Sequence, residues 1–112
     1  MKQGSGLKTT KRMAPIGKQG KKTSAAVAKW KLTQPPGSDG MWACYICQVR
    51  IPYLMCEHVY SKARHPELRQ DPNNFEPVCA VHNKLKGSLD IDDFLAKYPV
   101  YKSTVNPKYL KD

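Results

Sequence analysis

Four cysteines and three histidines carry most of the coordination chemistry open to this chain of 112 residues. Cys44-x-x-Cys47 and, after 31 intervening residues, Cys79-x-x-His82 make two ligand pairs. Two intervening residues turn both side chains of a pair to one side of a knuckle or helix start, the arrangement that grips a tetrahedral zinc ion. Two disulfides are the alternative use of four cysteines, and they require an oxidising compartment that nothing in the sequence indicates. Cys56 stands beside Glu57 and His58 and is the rival to His82 as fourth ligand. His82 is preferred because it completes the paired spacing, which leaves Cys56 as a small buried apolar residue.

With His82 assigned to structure, Glu57-His58, Asn74 and Asn83 remain as a second polar set. The order is zinc pair, acid-His, loop, Asn, strand, zinc pair, Asn. It resembles the HNH endonucleases, whose core is a ββα-metal, treble-clef-like finger. The closing run Cys79-Ala80-Val81-His82-Asn83-Lys84-Leu85-Lys86-Gly87 is similar to that of phage recombination endonucleases of the endonuclease VII type. The stretch His58-Val59-Tyr60-Ser61-Lys62 with Pro66-Glu67-Leu68-Arg69 resembles HNH recombination proteins of lambdoid phages. The resemblance spans about residues 41–88 and implies hydrolysis of DNA phosphodiester bonds, with branched or recombination DNA as the expected substrate. It implies His58 as general base, a role that a neutral imidazole suits. Glu57 and Asn83 are implied as oxygen ligands of a catalytic Mg²⁺ or Mn²⁺, and Asn74 as the residue orienting His58. Lys62, Arg64, Arg69, Lys84 and Lys86 are the expected phosphate clamps. Junction cleavage would call for a homodimer built on residues 88–112. The chain departs from the family pattern in having Glu for Asp before His58, His for Cys at the last zinc ligand, and Asn83 where many members have His.

The elements that must position these groups are short. Ser24 reads as the N-cap of a helix over 24–32, with Trp30 packing on the domain. Gln34 to Gly40 reads as a Pro/Gly linker. Trp42–Cys47 reads as a strand or knuckle, Ile51–Tyr60 and Phe75–Val78 as strands, and residues 61–74 as a polar loop. Cys79–Lys86 reads as a helix closed by Gly87 in the left-handed conformation. Asp90 is the expected cap of a final helix, its side chain on the Asp93 amide, with Leu89 and Phe94 as a hydrophobic staple and Pro99 as the stop. The expected class is α+β, a zinc-stabilised finger with short flanking helices. The division is a disordered basic arm (1–22), a helix and linker (23–40), the metal-binding domain (41–100) and a tail (101–112).

Charge supplies the partner. Lys and Arg number 19 against 9 Asp and Glu, for a net charge of +10. The first 40 residues hold nine of the basic groups and one acid, Asp39, and six of the seven glycines. A basic, apolar-poor segment buries too little surface to offset its ordering entropy and suits a polyanion, here DNA, through counterion release. No apolar run is long enough to span a bilayer and no signal-peptide pattern opens the chain, so the expected location is the cytoplasm. A domain of about 60 residues comes out near zero when burial is set against entropy. A structural zinc worth an apparent ~10–16 kcal/mol would decide whether it folds. A non-catalytic zinc module that binds nucleic acid is the rival reading, and a protein-interaction adaptor a third.

Overall fold

A computed structural model describes residues 18–111 of the chain. The greater part of the expected disordered arm therefore lies outside the described residues. The elements are α1 (Lys18–Leu32), β1 (Trp42–Ala43), β2 (Arg50–Ile51), β3 (Cys56–His58), β4 (Phe75–Pro77), α2 (Ala80–Lys86) and α3 (Ile91–Lys97), joined by loops and 3₁₀ turns. The architecture is a small α+β one with two antiparallel ribbons. β1 pairs with β2, Trp42 opposite Ile51, and β3 pairs with β4, placing Cys56, Glu57 and His58 opposite Pro77, Glu76 and Phe75.

α1 begins six residues before the expected cap, so Ser24 lies inside the helix and residues 18–22 of the supposed arm are helical. The cause is tertiary. Thr23 and Trp30 share one face at i, i+7 and are both buried, and the Trp30 ring meets Phe75 of β4 edge-on at 6.0 Å. Such an anchor outweighs the cost of Gly20 within the helix. The expected strand 51–60 divides into β2 and β3, because Pro52 removes a ladder donor just after Ile51. The linker folds into a turn: Gly37 N–H donates to the Met41 carbonyl (2.8 Å), and Arg50 closes it with a paired contact to Asp39 (2.6 and 2.9 Å).

One hydrophobic core joins the Cys44–Ile46 knuckle, Val59 and Val78 flanking the β3–β4 ribbon, and Ile91, Phe94 and Leu95 of α3. Leu89 packs on the same cluster, in the place expected of a staple. The segment after residue 100 is part of this body and not a loose tail. Val105 and Tyr109 are buried in the core, Asn106 N–H donates to the Tyr45 carbonyl (2.8 Å), and the Thr104 hydroxyl donates to that of Ile46 (2.7 Å). Two local expectations also change. Asp90 stands at the N-cap of α3 but makes no side-chain cap there, because its carboxylate binds the loop after β3. Gly87 has φ +53° but ψ −125°, outside the left-handed helical region, so it turns the chain sharply away instead of forming a left-handed cap.

Candidate metal centre and adjoining polar cleft

The turn between β1 and β2 presents Cys44 and Cys47, and the start of α2 presents Cys79 and His82. In the turn, Gln48 donates to the Cys44 carbonyl (2.8 Å) and Cys44 to that of Val49 (3.0 Å), with Gln48 at φ +64°. Cys79 is the N-cap of α2, its sulfur accepting from the His82 amide. One donor atom from each residue lies within 4.8 Å of the others. Cys47 Sγ is 3.9 Å from Cys79 Sγ, and Cys79 Sγ is 3.1 Å from His82 Nδ1. All four cysteines are free thiols, and 3.9 Å is nearly twice an S–S bond of about 2.05 Å, so the disulfide alternative finds no support. Cys56 stands apart from the cluster, its thiol near the Glu57 carbonyl, so the geometry gathers the Cys₃His set that includes His82.

The donor chemistry fits zinc. Burial lowers the His82 pKa and keeps the ring in the neutral, ligating form. Burial and the adjacent Cys44 and Cys79 sulfurs push the Cys47 thiol up to about 12. Packing thiols together this way disfavours thiolates unless a cation is among them, and a bound Zn²⁺ reverses that sign. The edge of Tyr101 closes over the His82 ring at 4.7 Å, so the C-terminal segment shields the cluster.

Beside the cluster a cleft of about 720 Å³ is lined by Glu57, His58, Lys62, Arg69 and Asn83, all singled out in the sequence. His58 Nε2 lies 2.8 Å from the Arg69 carbonyl oxygen. A carbonyl only accepts, so Nε2 carries the proton and Nδ1 of the neutral ring keeps its lone pair. Burial, assisted by the charges of Lys62, Lys86 and Arg69, lowers the His58 pKa. Phe75 buttresses the ring at 4.9 Å.

Three of the expected roles change. Asn74 does not touch His58: its Oδ1 accepts from Tyr60 N–H (2.8 Å) and its Nδ2 donates to the Tyr60 carbonyl (3.0 Å). It braces the start of the loop, and the Arg69 backbone takes the orienting role. Lys86 is not a phosphate clamp. It is 1% exposed, with Nζ donating to the His58 carbonyl (3.0 Å) and lying 3.5 Å from Glu57 Oε2. Arg64 spends its guanidinium on Asp93 (2.6 Å), whereas Lys62, Arg69 and Lys84 enter no ion pair among the described residues.

Glu57 is itself 4% exposed. Neighbours in a strand face opposite ways, so its side chain shares a face with Glu76 rather than with His58. Tyr45 donates its hydroxyl to Oε2, while Oε1 is buried with no hydrogen-bond partner. Burial pushes the Glu57 pKa up to about 7 against the opposing pull of Lys86 and Tyr45.

Three features of this site escaped sequence reasoning. Tyr45 is a tyrosine between two zinc ligands, with no spacing that marks it as a partner of Glu57. Asp90 looked like an ordinary cap. Gly20, Thr23 and Ser24 of α1 form a wall of the cleft, although composition placed them in or beside a disordered arm. Among the described residues, no helix is long and apolar enough to cross a membrane. No protein-family model, curated protein or solved structure matches the chain.

Proposed function

We propose that the chain is a zinc-stabilised, divalent-cation-dependent DNA endonuclease of the HNH kind, with His58 as general base. The observation that carries this reading is the state of His58: Nε2 is committed to the Arg69 carbonyl, and Nδ1 is left as a proton acceptor in a cleft with unpaired cations on its wall. His58 Nδ1 takes the proton of an attacking water, and the Arg69 carbonyl stabilises the imidazolium by accepting its Nε2–H. Removing such a base costs about 10²–10⁴-fold in rate. Lys62 and Arg69 attract the phosphates that flank the bond to be cut.

Glu57 and Asn83 are the residues that would hold a Mg²⁺ or Mn²⁺, and the partnerless Glu57 Oε1 fits a hard cation. The ion would supply stabilisation of charge on the phosphate and its leaving oxygen. The same carboxylate favours a second reading. Lys86 already supplies Glu57 with a cation inside the fold, as a non-catalytic zinc module for nucleic acid would have it.

Zinc-loaded protein incubated with plasmid and four-way-junction DNA, with Mg²⁺ or Mn²⁺, separates the two. Metal-dependent cutting that is lost in a folded, zinc-retaining His58→Ala variant is the expected result. Binding without cutting under either metal gives the module reading instead. Preference for the junction, with a dimer in solution, would extend the proposal to branched recombination DNA.

A further inference from the structure

The cleft has a second wall that the DNA-binding account above does not use. Gly20 and Ser24 line it from α1, opposite Ser61 and Lys62 of the loop after β3. On a helix of 3.6 residues per turn, Gly20, Ser24 and Lys31 fall within about 40° of one another, beside the face that buries Thr23 and Trp30. Lys31 does not line the cleft itself but continues the Gly20–Ser24 stripe about two turns further along α1. Lys31 and Lys62 are both exposed, and neither enters an ion pair among the described residues. α1 contains no acidic residue to compete for them. His58, with its Nδ1 free, and Cys56 also line the groove. A groove with small side chains on one wall, unpaired cations on both and a proton acceptor at its base fits a chain of phosphates.

We propose that α1 is the second jaw of a nucleic-acid groove. The phosphodiester backbone runs between the Gly20–Ser24–Lys31 stripe and the loop 61–70, with Lys31 and Lys62 neutralising phosphates on opposite walls. Trp30, seated on Phe75, is the rivet that fixes the jaw to the sheet carrying His58. The inference deepens the endonuclease reading by naming the surface that holds its substrate, and it rests on that reading for the identity of the polyanion. It also gives α1, the described part of the basic N-terminal region, the role of a positioned wall in place of a diffuse attractor.

Charge reversal on the two faces of α1 tests it. Lys29 lies two residues from Lys31 and therefore about 160° around the helix, exposed and away from the cleft. Lys31→Glu and Lys29→Glu change net charge equally and have similar helix propensities. Binding of the full zinc-loaded chain to a fluorescein-labelled DNA duplex is followed by anisotropy without Mg²⁺ or Mn²⁺, across a salt series. Loss of one phosphate contact at 0.1 M salt predicts about an eightfold fall in affinity and a salt slope shallower by about 0.9 for Lys31→Glu. Lys62→Glu should match it, and Lys29→Glu should cost less than half as much on the logarithmic scale. Ser24→Glu, which places an anion in the wall at the middle of the helix, should weaken binding as Lys31→Glu does while leaving the helical circular dichroism intact.

Equal losses from Lys31→Glu and Lys29→Glu would overturn the jaw, as would a wild-type chain that does not bind. The two proposals fail separately. Face-specific binding without cutting under either metal removes the nuclease and leaves the jaw. Cutting with face-independent binding removes the jaw and leaves the nuclease.

Discussion

The ammonium of Lys86 is surrounded by protein rather than solvent, and its two neighbours explain why that is tolerable. The His58 carbonyl accepts one hydrogen bond at 3.0 Å, and the Glu57 carboxylate lies 3.5 Å away with the Tyr45 hydroxyl on the same oxygen. Burial lowers the Lys86 pKa and raises that of Glu57, while each charge opposes the shift in the other. A buried pair of this kind contributes little against a well-packed apolar replacement, yet removing one partner strands the other. Lys86→Met should therefore cost about 3–5 kcal/mol in urea denaturation of the zinc-loaded protein. The double variant Lys86→Met with Glu57→Gln should recover most of that loss. If the single and double variants are equally destabilised, the two groups are not coupled. Sequence could not show any of this: a Lys three residues after Asn83 on a short basic helix offers a charge, and only the packing of α2 against β3 decides whether that charge meets phosphate or carboxylate.

Loop 61–70 lies between β3 and β4, and it is tied down at both ends. Asn74 holds it through Tyr60, and Asp90 at the head of α3 accepts from Ser61 N–H (2.7 Å) and lies 2.9 Å from His65 Nε2. From the far end of the loop the Arg69 carbonyl orients His58. The Asp90 carboxylate, with Glu67 3.6 Å from the other ring nitrogen, raises the His65 pKa. A raised folded-state pKa stabilises the fold fully below the unfolded value of about 6.5, and that contribution is lost as pH rises through the folded value. The melting temperature should thus carry a small downward step on raising pH from 6 to 8 at low salt. Glu57 contributes a trend of the same sign as pH rises from 4.5 through about 7, so the His65→Gln variant isolates the latch. The difference between the two profiles should vanish in high salt, because His65 is one-third exposed and its partners are screened. A pH-independent difference would mean that His65 only packs. Elements of this size were legible where local chemistry decides them: Cys79 at a helix start, the apolar pair Phe75 and Val78 flanking a strand end, Pro99 stopping α3. They were not legible where a distant partner decides. Asp90 has cap chemistry but a stronger claim from the loop, and α1 reaches back to Lys18 because Trp30 found Phe75.

At the scale of the whole molecule the Cys₃His cluster joins the 44–47 knuckle to the start of α2, two segments that 31 residues separate. The paired spacing made this join legible in the sequence. The covering of the join was not, because Tyr101, Val105 and Tyr109 have no periodicity of their own and acquire their places by packing on His82, the core and Glu76. The packed C-terminal segment adds apolar burial that a bare finger lacks, so the metal-free chain should retain some collapse while losing its native arrangement. Zinc binding in finger peptides is worth an apparent ~10–16 kcal/mol, as large as the whole stability of most domains. Chelation should therefore abolish the cooperative thermal transition, and readdition of Zn²⁺ should restore it. Cys79→Ala should behave as the chelated protein does, whereas Cys56→Ala should keep one zinc per chain, because Cys56 lies in the cleft wall outside the cluster. Metal analysis beside circular dichroism makes the test decisive. An unchanged transition in protein shown to be free of metal would mean that the apolar core alone specifies the fold, and the four ligands would then need another reason to converge.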